Sequence, residues 1–240
     1  MPQEHPHHPS GPLVAAVVLA ASAGFVDAHI YLHVVPVFVA NMSGNLIHLG
    51  MAVGLTDARE TLAACVAIAA FCVGVGAGTV HHDRRQRRGL PIGSSPLLAV
   101  EGTLLVVLCV ALALADVDRH LVLHLVDVPI LTVAAFAMGL QTASLRAVGR
   151  VAVATTYGTG AIVRIVEKSV LAWRGAAPSG DERRRTSVVV LTSVVVAYVG
   201  GAAAAAAAGA SPLLVLVPAL AVLACAFGLR HERDLTGSTP

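Results

Sequence analysis

Charge is what this 240-residue sequence has least of: Asp, Glu, Lys and Arg together make up 12% of it, against 56% hydrophobic residues. A water-soluble domain covers its surface with about 25% charged residues, so a soluble globular fold is excluded. Paired-cysteine spacing is also missing. Cys65, Cys72, Cys109 and Cys225 fall inside apolar stretches with no Cys-x-x-Cys, which excludes a disulfide framework and reads them as small core residues. No phosphate-binding glycine loop is present, so nothing points to nucleotide-driven work. The first residues (MPQEHPHHPSGP) contain no Lys or Arg. They lack the basic start and the cleavage site of a secretory signal and read as a tail whose histidines have no specific role.

What is present is apolar sequence in long runs, with a mean hydropathy of +0.79. Leu13–Leu32, Thr61–Val80, Pro96–Ala115, Val128–Leu145, Ser187–Ala208 and Pro212–Leu229 are each long enough, at roughly 20 residues, to cross a bilayer as a helix. They are too long and too continuously apolar for barrel strands. The expected fold is an all-α polytopic membrane bundle of six spans. Its parts are a tail (1–12), a first membrane repeat (13–115), a second (128–229) and a cytoplasmic C-terminal tail (230–240).

Two further apolar stretches are interrupted. Val35–Gly54 is broken at Asn41-Met42-Ser43-Gly44-Asn45, and Val151–Val166 at Thr155-Thr156-Tyr157-Gly158-Thr159-Gly160. Under the positive-inside rule, six crossings with both broken segments re-entrant leave only Arg59 and Arg119 outside, among 16 Lys and Arg residues. Eight crossings would put most of them outside. A seven-span form would cost nothing by charge, because the N-terminal tail has none to misplace. An internal repeat argues against it: Gly24-Phe25-Val26-Asp27-Ala28, then Ser43-Gly44, is echoed by Gly139-Leu140-Gln141-Thr142-Ala143, then Thr159-Gly160. Three crossings per half make the second half inverted, so the broken segments would enter from opposite faces and meet near the midplane. Paired interruptions of this kind point to a transporter's central site.

The chemistry of the breaks fits a site for a small polar solute or ion. Glycine lets the backbone leave helical geometry, and freed amides within a bilayer must face protein or a wet cavity. Asn41, Ser43, Asn45, Thr155, Thr156 and Thr159 add donors and acceptors. A half-helix starting after Gly44 or Gly160 would aim its positive end inward. The competing reading is that small residues simply let helices pack closely, and that reading is preferred for Gly74-x-Gly76-x-Gly78 and for Gly200–Gly209, which lack polar partners. Asp27 lies well inside the first span, where an ionisable group costs about 2.5–3.5 kcal/mol on insertion scales. It is either a functional acid or a structural one that caps a broken helix or pairs with the Asn/Ser cluster. Tyr31, on the same helix face, is positioned to hydrogen-bond it. Gln141 or Thr142 is its uncharged counterpart. His29 and His33 are spaced i, i+4 but have no third ligand; no metal is expected, and they read as polar rim residues. His48 is a weaker proton-accessible candidate. Glu101 is expected to reach water or a basic residue near one face. Arg164, Glu167 and Lys168, with Trp173, read as an interfacial cluster, and Arg146 and Arg150 bracket a short connection.

The strings GFVDA, FVANMSGN and GLQTASLRAVGRVAVATTYGTG resemble the YoaK-like family of bacterial multi-pass membrane proteins, over about residues 20–165. That family shows a G-x-x-D-A element, then T-G-N, then G-L-Q-N-A and T-T-x-x-T-G. Here Ser43 replaces the usual Thr and keeps its hydroxyl, whereas Thr142 stands where Asn is common and removes an amide. The resemblance implies an inner-membrane protein and supplies no substrate. The residues favour a secondary transporter or channel, with Asp27, Tyr31, Asn41, Ser43, Gly44, Asn45, Gln141, Thr155, Thr156, Thr159 and Gly160 as candidate site residues. Membrane-embedded enzyme chemistry on a lipid-like substrate, and a scaffold or regulatory subunit, are the alternatives. The expected setting is the cell membrane with the C-terminus cytoplasmic. The partners expected are the bilayer, an unnamed solute and a second copy in a homo-oligomer, with no nucleic acid and no cofactor.

Overall fold

The computed structural model describes residues 10–90, 94–114, 127–148, 158–173 and 181–236, and all regular structure among them is helical. The order is α1 (Ser10–His33), α2 (Met42–Gly54), α3 (Ala58–Arg87), α4 (Ser95–Leu114), α5 (Asp127–Val148), α6 (Gly158–Trp173) and α7 (Asp181–Ala208). A 3-10 turn at Pro212–Val215 then leads into α8 (Leu216–Thr236). Among the described residues, α1, α3, α4, α5, α7 and α8 are long and apolar enough to cross a bilayer. They coincide with the six runs read from the sequence, so the expected all-α polytopic bundle is the observed architecture. The 13 residues of α2 span about 20 Å, short of a ~30 Å hydrocarbon core. α6 has 16 residues and carries Arg164, Glu167 and Lys168.

Local chemistry explains where helices start and stop. α1 cannot run through Pro36, which has no N–H to donate and disfavours helical geometry at Val35; its last amides fold back as Val34 and Val35 N–H both donate to the Ile30 carbonyl at 3.0 Å. Asp57 caps α3 by accepting from the Arg59 and Glu60 amides at 2.9 and 3.0 Å, satisfying donors that a helix start leaves open. The alanine run of α7 ends at Gly209, whose φ of 84° is the left-handed geometry that glycine supplies most cheaply.

α1 and α5 form the centre. Of their apolar windows 61% and 72% is buried, against 28% for α7 and α8. The outer helices turn Val73, Val110, Val196, Val199, Val217 and Phe227 outward, an apolar exterior suited to lipid. α1 packs on α7 and α8, α5 packs on α3 and α4, α4 meets α8, and α1 touches α5; α2 lies on α3 and α6 on α7.

Two helix crossings are made backbone to backbone. In α1·α7, a Cβ at Gly24 would collide with the Tyr198 carbonyl, and one at Gly201 with the Ala21 carbonyl. In α3·α5, Gly74 meets the Phe136 carbonyl and Gly139 the Phe71 carbonyl in the same way. Small residues permit such approach in membranes. The packing expected of Gly74, Gly78 and Gly201 is observed, but Gly76 and Gly200 have nothing within 4 Å of a Cβ. The cysteines are free as expected, and one point is corrected: Cys65 and Cys72 sit on the outward face of α3, not in the core. Their thiols lie on the side that α3 turns away from α5.

Candidate functional site

The segment between α1 and α2, residues 34–41, is non-helical and apolar (VVPVFVAN), and its backbone has lost the helical ladder. An unpaired amide or carbonyl in apolar surroundings costs several kcal/mol. Two side chains replace the ladder. Asp27 Oδ1 accepts from the Val39 and Ala40 amides at 2.6 and 2.7 Å. Asn45 Oδ1 accepts from the Phe38 amide at 2.8 Å, while its Nδ2 donates to the Phe38 carbonyl at 2.6 Å. Both side chains are buried. The second oxygen of Asp27 accepts from the Tyr198 hydroxyl of α7, so one carboxylate ties α1, the break and α7 together.

Asn41 begins α2 as its N-cap, taking the Gly44 amide at 3.3 Å and the Ser43 hydroxyl at 2.8 Å. The helix therefore starts at Met42, ahead of the expected start after Gly44. Gly44 sits in its first turn because a Cβ there would come within 2.7 Å of the Phe38 ring. Tyr31 does not reach Asp27. Its ring stacks on Phe38 with centroids 4.6 Å apart, and His48 meets both rings edge-on at 5.9 and 6.0 Å. The hydroxyl that Asp27 needs comes from Tyr198, 171 residues away in the chain.

Asp27, Asn41, Ser43, Gly44 and Asn45 are thus brought together, with Tyr31 and His48 beside them. Gln141 lies elsewhere: buried on α5, it donates to the Leu19 carbonyl of α1 at 2.7 Å, and its Oε1 has no partner. Thr142 returns its hydroxyl to the Met138 carbonyl at 2.9 Å. Thr155 and Thr156 lie outside the described residues, as do Arg150 and the side chains of Arg146, Thr159 and Trp173; Gly160 is an exposed position in the first turn of α6. His29 is no rim residue: it is buried, stacked on Phe25 at 6.1 Å and edge-on to His33 at 5.1 Å.

Glu101 corrects the sequence reading most sharply. It was expected to reach water or a basic residue; it is 0% exposed, and neither carboxyl oxygen has a hydrogen-bond partner. Its position early in α4 suggested a wet end, but α8 covers that end. Tyr198 was missed altogether. The available signal was its spacing three residues before Gly201, on the face that packs on α1.

A family of proteins of unknown function, DUF1275, matches residues 15–229. The chain belongs to that family. Within the DUF1275 proteins it is 28% identical over 151 residues to the UPF0700 transmembrane protein YoaK of Bacillus subtilis (strain 168); the match covers 62% of this chain and 64% of YoaK. The chain thus spans slightly less than two thirds of that relative's length. No solved structure matches. For a DUF1275 member the multi-pass membrane setting follows from the match to a transmembrane relative and from six membrane-length helices. The break described above gives a physical role to two residues of the motifs read from the sequence: Asp27 of GFVDA and Asn45 of FVANMSGN satisfy the backbone between α1 and α2.

Proposed function

We propose that this protein is a secondary transporter or channel for a small polar solute or ion, built as an inverted repeat with its site beside the helix breaks. The observation that carries this reading is the match between the two glycine crossings. Gly24 and Gly139 are separated by the same number of residues as Ala21 and Phe136, and Tyr198 and Phe71 by the same number as Gly201 and Gly74. One correspondence, α1 to α5 and α3 to α7, thus exchanges one crossing for the other. It also exchanges α1·α8 with α5·α4 and α2·α3 with α6·α7, while returning α4·α8 and α1·α5 to themselves. A repeat of three crossings is inverted in the membrane, the architecture in which two halves rock about a central site.

In this reading Asp27 and Asn45 hold the break open to a shape, and the solute meets the groups left on its accessible side. Those are Ser43, the Asn41 side-chain amide, Tyr31 and His48, at the positive end of α2. Thr155, Thr156, Thr159 and Gly160 form the counterpart in the second half, and Gln141 lends its free oxygen near α1. An enzyme would need an acid or histidine converging on Asp27; the groups that meet its carboxylate are Tyr198 and the backbone amides of Val39, Ala40 and Asn41. The experiment is flux in proteoliposomes over a panel of small polar solutes and monovalent ions. The proposal expects at least one solute to move, and to slow in Ser43→Ala and Tyr31→Phe at unchanged folding. Substrate turnover in detergent without flux would overturn it.

A further inference from the structure

Glu101 is an unusual thing to find in an apolar bundle. It lies six residues into α4 from Ser95, about 9 Å along the axis, and it is fully buried with both oxygens unpartnered. Its helix face is apolar on either side, with Leu97, Leu98 and Leu105 at the i−4, i−3 and i+4 positions, all buried. The α4·α8 seam is closed on both sides of it. Ser95 donates to the Ala226 carbonyl at 2.7 Å, a Cβ at Gly102 would meet Leu223 at 2.6 Å, and the Cys109 thiol reaches the Pro212 carbonyl at 3.3 Å.

An unpaired carboxylate in such surroundings costs several kcal/mol or more, whereas a neutral carboxylic acid costs far less. A metal cation would need several oxygen ligands, and this pocket supplies one carboxyl. The fitting ligand is therefore a proton. Among the described side chains on the elements packed against α4, the titratable groups are few, and Cys225 of α8 is the one with an electrostatic interaction with Glu101. The side chains of Arg146 on α5 and of Glu232, Arg233 and Asp234 on α8 lie outside the described residues. Arg230 and His231 lie more than a turn further along α8, Asp127 starts α5, and Cys109 is two turns away on α4 itself. Neighbours of Glu101, though not Glu101 itself, line two open grooves. One of about 600 Å³ runs between α3, α4 and α5, from His81 and Arg84 to Leu97 and Val100. The other, about 450 Å³, lies between α1 and α8 and is lined by Cys225.

We propose that Glu101 is a proton-binding site, loaded while the α4·α8 seam is closed and emptied when the two helices part, so that proton movement is coupled to solute movement. The coupling half of this statement rests on the transport reading; the proton site does not.

The test uses full-length protein in phosphatidylcholine–phosphatidylglycerol vesicles. Infrared spectra are expected to contain the carbonyl stretch of an un-ionised carboxylic acid that shifts in D2O and is lost in Glu101→Gln. N,N′-dicyclohexylcarbodiimide, an apolar reagent for membrane carboxyls, is expected to modify the wild-type peptide containing Glu101. The carbodiimide readout, located by the modified peptide in the wild type, stands even if the variant does not fold. Loss of a carboxylate band instead of an acid band in Glu101→Gln overturns the proposal. So does an acid band that never shifts in D2O, which would mark a sealed neutral side chain. Exchange at Glu101 in a protein that moves no solute would leave the proton site standing and sink the transport reading.

Discussion

The α1·α7 and α3·α5 crossings share a backbone and differ in chemistry. Each is a pair of glycines set against the facing helix's carbonyls. Three residues after Gly24 stands Asp27, and three after Gly139 stands Thr142. Three before Gly201 stands Tyr198, and three before Gly74 stands Phe71. Where the first crossing has a carboxylate bonded to a tyrosine hydroxyl, the second has a phenylalanine and a threonine bonded within its own helix. Close approach is therefore the common structural requirement, and the acid–tyrosine pair is an addition to one side. That addition also serves the break, because the same carboxylate holds the Val39 and Ala40 amides.

The sharpest way to break this comparison is at the glycines. Gly24→Ala and Gly139→Ala should each destabilise the protein by about 3 kcal/mol, the upper part of the range for overpacking, measured by denaturant titration in detergent. A cost at Gly24 with none at Gly139 would end the equivalence of the crossings. Asp27→Ala should cost somewhat less, about 2–3 kcal/mol for stranded amides and a lost charged acceptor. It should also speed hydrogen exchange at Val39 and Ala40; unchanged exchange there would show that the carboxylate does not hold the break. Tyr198→Phe makes the first crossing resemble the second and should cost about 1–2 kcal/mol. In a double-mutant cycle with Asp27→Asn it should show coupling of at least about 0.5 kcal/mol. Smallest of all, Thr142→Val should cost no more than about 1 kcal/mol, the net worth of one neutral hydrogen bond within a helix. A large effect would reveal a polar role in the second crossing after all.

Much of the fold was legible in the sequence. The six runs are local hydropathy patterns, and the membrane-length helices fall where they place them. The first interruption falls earlier than its polar cluster suggested, at residues 34–41, because Asn41 caps a helix that already begins at Met42. Thr155, Thr156 and Tyr157 of the second lie outside the described residues. Asp27 was legible as an exception, since one acid in an apolar run must find partners. The identity of those partners was not. Tyr31 sat on the right face at the right spacing, yet Phe38 folded back over it and the hydroxyl came from α7. Asn41 and Asn45 looked alike in the string NMSGN; one became a helix cap and the other a backbone mimic.

What the sequence by itself determined is the number and position of membrane-length helices and the neighbourhood, after the first of them, in which the chain is interrupted. Hydropathy over a span is a sum of independent residues, and a proline or a glycine acts on its own few bonds. Only the tertiary structure decided which helices cross at their glycines, that Tyr198 completes Asp27, and that α8 buries Glu101 away from any partner. Those outcomes depend on which faces meet. In a chain that is apolar nearly all round each helix, the sequence carries little amphipathic signal to say which faces those will be.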